Sequence, residues 1–166
     1  MEARHSTALG VLLAAGSGTR FSGSQHKLLS LIEGQTIFSR SLQAMTSSDL
    51  NGFIVVSGAL ALSGHIGDTE EIHNPDWKTG QRSSVIAAIQ FARSQGYDAI
   101  VVGLADQPFL TPQAWTNVAS SSSPIAIATY DGTRGNPVRL HSSVWETFED
   151  LDAPRCRGAN SDSPAS

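Results

Sequence analysis

Residues 97–104 read Tyr-Asp-Ala-Ile-Val-Val-Gly-Leu, and this run decides the fold class. From Ala99 to Leu104 no polar side chain interrupts it. A strand with one wet face alternates apolar and polar residues. An unbroken apolar run marks a strand buried on both faces, as in parallel sheets covered by helices. Leu9–Leu13, Gly52–Ser57 (GFIVVS) and Pro124–Thr129 (PIAIAT) have the same character, and Glu70–His73 and Pro137–Leu140 read as shorter strands. Helical spacing lies between them. Ile37, Phe38, Ser41, Leu42 and Met45 recur on one face of Thr36–Met45, and Val85, Ile86 and Ile89 on one face of Gly80–Ser94. Thr111 and Pro112 read as N-cap and first position of a helix over Thr111–Ala119. Ser142–Glu149 is a further helix, and Ala59–Gly67 a weak one. Strands alternating with helices predict an α/β fold with a mostly parallel sheet and helices on both faces. Ligands bind beyond the carboxyl ends of such strands, which selects the loops after Leu13, Leu104 and Thr129.

The chain has 166 residues, 40% hydrophobic and 16% charged, as expected of one globular domain with a real core. A net charge of −4, with eleven scattered Lys and Arg, gives no electrostatic reason to bind nucleic acid or an anionic membrane. Neither is expected as a partner. There is no apolar run long enough to cross a bilayer. Met1–Thr7 is polar, and Ala8–Ala15 is too short and too quickly followed by glycine for a secretory signal. The one cysteine, Cys156, fits a reducing compartment, so a cytoplasmic location is expected. Ser120–Ser123 reads as a loop. Residues 1–151 are expected to form the domain, and 152–166 a disordered or truncated tail.

Residues 13–27 read Leu-Ala-Ala-Gly-Ser-Gly-Thr-Arg-Phe-Ser-Gly-Ser-Gln-His-Lys. Small residues after a buried strand let backbone amides approach an anion closely. Arg20 offers a forked cation to phosphate oxygens and Lys27 a point charge. No Gly-Lys-Ser/Thr follows, so this is not a P-loop, and Gly16-Ser17-Gly18 lacks the third glycine of a dinucleotide fingerprint. Asp106, just beyond the decisive strand, is suited to hold Mg²⁺ against triphosphate oxygens. His26 and His141 have no partners at metal-ligand spacing, and no Ser-His-Asp or Cys-His set is evident.

Leu13-Ala14-Ala15-Gly16-x-Gly18-Thr19-Arg20-Phe21 with Lys27-Leu28-Leu29 is similar to the signature of the MobA-like nucleotidyltransferases, and among them to the molybdenum cofactor cytidylyltransferases. Three further segments carry the resemblance in order: Asn74-Pro75-Asp76-Trp77-x-x-Gly80-x-x-Ser83-Ser84, Ala105-Asp106-Gln107-Pro108 and Arg134-Gly135-Asn136-Pro137. Together they span roughly residues 8–150. The resemblance implies a Rossmann-like sheet of the nucleotide-diphospho-sugar transferase type. It assigns nucleotide binding to Leu13, Ala14, Ala15, Gly16, Ser17, Gly18, Arg20, Lys27, Ser83 and Ser84, and catalysis to Arg20, Lys27 and Asp106. Asp106 would hold Mg²⁺. Arg134, Gly135, Asn136 and Pro137, placed in a loop after a strand, would face the acceptor. The Ala14-Ala15-Gly16 form goes with cytosine in that family, so CTP is the implied donor and molybdopterin the acceptor, with a molybdoenzyme or its chaperone as protein partner.

Two departures are visible. The segment between Arg20 and Lys27 is longer than the family's form. Where the family carries Gly-Asp-x-Gly-Ala-Arg, with a second metal-binding Asp, this chain has Asp150-Leu151-Asp152-Ala153-Pro154-Arg155. Asp152 is the stand-in. The resemblance thus implies nucleotidyl transfer with release of pyrophosphate, on a chain with a truncated or frame-shifted carboxyl end. The rivals are a sugar- or alcohol-phosphate cytidylyltransferase and a non-catalytic nucleotide-binding or cofactor-chaperone protein.

Overall fold

The apolar runs line up as the strands of one sheet. A computed structural model describes residues 7–15, 27–59, 62 and 64–151. In chain order the strands are β1 (Ala8–Ala14), β2 (Leu31–Ile32), β3 (Gln35–Thr36), β4 (Gly52–Ser57), β5 (Glu70–His73), β6 (Ala99–Leu104), β7 (Ile125–Tyr130) and β8 (Thr133–His141). The helices are α1 (Ile37–Thr46), α2 (Gln81–Gln95), α3 (Pro112–Ala119) and α4 (Trp145–Leu151). The main sheet has the order β5-β4-β1-β6-β8-β7, while β2 and β3 form a small antiparallel ladder. β5, β4, β1 and β6 are parallel neighbours, and β8 runs antiparallel between β6 and β7.

β1 is central and buried at all seven positions. Its side chains alternate between two cores, both dry, so its apolar run needs no polar partner. Leu12 joins Phe38, Met45, Val55, Val101 and Trp115 on the face covered by α1 and α3. Val11 joins Ile54, Val56, Val85, Ile89, Ile100 and Trp145 on the face covered by α2 and α4. Local chemistry sets the helix ends. Thr36 Oγ1 accepts from Ser39 N at 2.9 Å to start α1, and Thr111 Oγ1 accepts from Ala114 N at 3.1 Å to start α3, with Pro112 first in the helix. α4 is tied to α2 by Arg93, whose guanidinium donates to both Glu149 oxygens at 3.1 and 2.8 Å. This pair holds the Arg93 pKa above its ordinary value.

Four expectations change. The described residues of Ala59–Gly67 make turns and bends rather than a helix, since Gly64 and Gly67 cut a run of good helix formers too short to sustain one. β7 is an edge strand, and Ile125 and Ile127 stay 50% and 37% exposed instead of buried on both faces. The cause is local: Asp131 (φ 53°) and Gly132 (φ 81°) turn the chain straight back into a hairpin. Consequently Arg134, Gly135, Asn136 and Pro137 lie within β8, not in a loop, and that strand is nine residues long. The Ser142–Glu149 helix begins with a 3₁₀ turn, Ser142–Val144, before α4. Among the described residues no helix is long and apolar enough to cross a membrane.

Candidate active site

The strand order reverses direction between β1 and β6, and this switch point is where open α/β sheets leave a crevice. Ala105 N donates to Leu13 O at 2.9 Å, so the segments leaving β1 and β6 start as neighbours. Leu13, Ala14 and Ala15 are buried at 5%, 3% and 8% exposure, so their backbone rather than their side chains is what this end of β1 offers.

Asp106 follows Ala105 directly. A turn closed by Gln107 N donating to Leu104 O at 3.2 Å carries it, and α3 begins only at Pro112, so Asp106 caps no helix. Its Oδ2 lies 3.7 Å from Lys27 Nζ, with the two side chains 44% and 46% exposed. Lys27 opens a 3₁₀ turn, Lys27–Leu29, that is pinned by buried Leu28. An ion pair this exposed is worth ~0–1 kcal/mol to the fold. Its interest is chemical: a cation and a carboxylate share the crevice, one suited to phosphate oxygens and the other to a divalent ion.

A wall beside them comes from β4, β5 and α2. Gly58 leaves no room for a side chain; a Cβ there would lie 2.6 Å from both Ala15 O and Trp77 Cβ. That close approach is what the glycine provides. Asn74 directly follows β5 and is 3% exposed. Its Nδ2 donates to Ser83 Oγ at 2.8 Å and Ser84 Oγ at 2.9 Å, while its Oδ1 accepts from Asp76 N at 2.9 Å. Ser84 is fully buried and its hydroxyl accepts from Asn74, which shapes the wall from behind. Ser83 Oγ also lies 2.9 Å from Gly80 O and 3.0 Å from Asp76 O. Gly80 is the α2 N-cap and supplies no side-chain bond.

The hairpin brings the third segment to the same end of the sheet. β7 runs parallel to β6 and β8 returns, pairing Arg134 with Thr129. Arg134 is exposed, whereas Pro137 is buried. Tyr130 Oη donates to Asn136 O at 2.6 Å, and a Cβ on Gly135 would meet the Tyr130 ring at 3.0 and 3.1 Å. Desolvation raises the Tyr130 phenol above its ordinary pKa.

Lys27, Asp106 and the carboxyl end of β1 therefore lie together beyond the sheet. Gly16, Ser17, Gly18, Arg20 and Asp152 lie outside the described residues, as does His26. The sequence reading gave no role to Asn74, Gly58, Ser41 or Tyr130. For Ser41 a signal existed, a hydroxyl residue among the apolar positions of α1, and for Asn74 its place in the quoted Asn-Pro-x-Trp motif; Gly58 and Tyr130 are legible only in their contacts.

Residues 10–161 match the family described as the MobA-like NTP transferase domain. The chain belongs to that family. The purine catabolism protein PucB of Bacillus subtilis is 31% identical over 155 residues, covering 86% of this chain and 75% of PucB. The bifunctional protein GlmU of Rhizobium rhizogenes is 33% identical over 110 residues, covering 63% of this chain and 24% of GlmU. The chain thus spans about a quarter of the length of the GlmU proteins it matches. The crystal structure of Rv0371c from Mycobacterium tuberculosis superposes with a TM-score of 0.74 at 20% identity, over 98% of this chain and 87% of that one. Another crystal structure of Rv0371c is a complex with manganese. These structures share the fold: a mostly parallel sheet with helices on both faces.

Proposed function

We propose that this protein is a Mg²⁺-dependent nucleotidyltransferase that moves CMP from CTP onto a phosphate-bearing acceptor of the molybdopterin type. The observation that carries the reading is the approach of Lys27 Nζ to Asp106 Oδ2, 3.7 Å apart at the switch point of the sheet. The donor set fits Mg²⁺, which is commonly held by one or two carboxylates together with substrate phosphates. Asp106 would be that carboxylate, with Asp152 a second. The ion, when bound, neutralises charge on the triphosphate. Lys27 with Arg20, and the backbone amides of Gly16, Ser17 and Gly18, would hold the triphosphate in line. The backbone of Leu13–Gly16 would read the base, with the Asn74–Ser83–Ser84 wall behind it. Arg134, Gly135, Asn136 and Pro137 would present the acceptor. A phosphate oxygen of the acceptor attacks the α-phosphorus, the α–β phosphoanhydride bond breaks, and pyrophosphate leaves. Positioning and charge neutralisation carry such a reaction, so no nucleophilic side chain is required.

The test is a thermal-shift panel of CTP, GTP, ATP and UTP, with and without Mg²⁺, on wild type and Asp106→Asn. CTP at about 100 times its Kd should raise Tm by about 5–11 °C in the presence of Mg²⁺. Asp106→Asn should lose the Mg²⁺-dependent part. An equal shift in both proteins, or none with any nucleotide, would overturn the reading. Product analysis with different phosphate-bearing acceptors then fixes the acceptor.

A further inference from the structure

Ser41 is 2% exposed in the middle of α1, where apolar residues surround it. Its Oγ lies 2.7 Å from Ala105 O and 3.1 Å from Ile37 O. A hydroxyl has one proton to donate. Ala105 O, the nearer, receives it, because Ile37 O is already the acceptor for the helical N–H four residues on. The Ala105 residue is itself 1% exposed, so its carbonyl has no access to water and Ser41 answers for it. The amide of the same residue donates to Leu13 O at 2.9 Å. Both polar groups of Ala105 are therefore held, one by β1 and one by α1, and the peptide plane leading into Asp106 is fixed.

The same helical turn holds the other side of the crevice. Ile37 N donates to Ser30 O at 2.9 Å, and Ser30 N donates to Lys27 O at 3.0 Å. One turn of α1, from Ile37 to Ser41, thus anchors the segment bearing the cation and the segment bearing the carboxylate. We propose that Ser41 is a positioning residue that holds the Asp106 carboxylate at its distance from Lys27 and so sets the affinity for the divalent ion. This inference rests on the reading of Asp106 as the metal-holding residue.

The test uses the full chain, Mn²⁺ as probe and CTP at fixed concentration, with free Mn²⁺ measured by electron paramagnetic resonance. Ser41→Ala should weaken Mn²⁺ binding by about 10- to 100-fold, the usual effect of removing a group that orients a metal ligand. CTP binding measured without metal should stay within about twofold of wild type, because a positioning residue acts through Asp106 alone. A purely structural role would move both. Should Ser41→Ala fail to fold, Ser41→Cys, similar in size with a weak donor, is expected to show the same weakening. If either folded variant titrates like wild type while Asp106→Asn loses Mn²⁺, the positioning role is wrong and the metal assignment stands. If Asp106→Asn also titrates like wild type, the metal assignment fails and the inference falls with it.

Discussion

Replacing Asn74 by Ala should cost more stability than any exposed charge in the crevice. Three hydrogen bonds disappear, to Ser83 Oγ, Ser84 Oγ and Asp76 N at 2.8, 2.9 and 2.9 Å. A typical intramolecular hydrogen bond contributes ~1 kcal/mol net, more when its loss leaves a buried group unpaired. Ser84 is fully buried and would be left so, while Asp76 is exposed and recovers water. The sum is about 3 kcal/mol, and at 2–4 °C per kcal/mol for a chain of this size Tm should fall by about 6–12 °C. Thermal and urea unfolding followed by circular dichroism measure this directly. Asn74→Asp keeps the volume and removes both amide donors while adding a buried charge. It should be at least as damaging at pH 7 if the bonds, not the packing, hold the wall. A Tm within about 2 °C of wild type for Asn74→Ala, less than one net hydrogen bond, would refute the account.

Gly58→Ala forces a methyl to within 2.6 Å of Ala15 O and Trp77 Cβ. It should cost about 1–3 kcal/mol and also weaken CTP binding, because one displaced atom is backbone at the end of β1; wild-type Tm and CTP shift would contradict this. Arg139 is 3% exposed, and burial lowers its pKa. It donates to Ser123 O while its Nε has no partner among the described residues. Arg139→Met should therefore be neutral or raise stability by about 1–2 kcal/mol, and a lower urea midpoint would argue against this. Tyr130 has a raised pKa in the folded state, so the folded protein holds its phenolic proton more tightly than the unfolded chain. That contribution is complete below pH 10, the ordinary tyrosine value, and is lost as pH rises through the raised folded value. Wild type should lose more stability than Tyr130→Phe in unfolding measured across that alkaline window, and parallel losses would refute the assignment.

The sequence by itself determined most strands and helices of the main sheet, though not the turns of 59–67 or the strand placement of Arg134, Gly135 and Asn136. Gly52–Ser57 and Glu70–His73 coincide with β4 and β5, and Thr111-Pro112 marks the start of α3, because cap chemistry and unbroken apolar runs are local properties. Only the tertiary structure decided partners. Pro124–Thr129 has the composition of a buried parallel strand, yet its neighbour is set by a two-residue turn and a nine-residue return strand that leave it at the edge. Ser41 and Asn74 acquire their roles from Ala105 and Ser84, 64 and 10 residues away in the chain. A hydrogen bond depends on where two groups lie in space, and a single sequence records only the order in which they are joined.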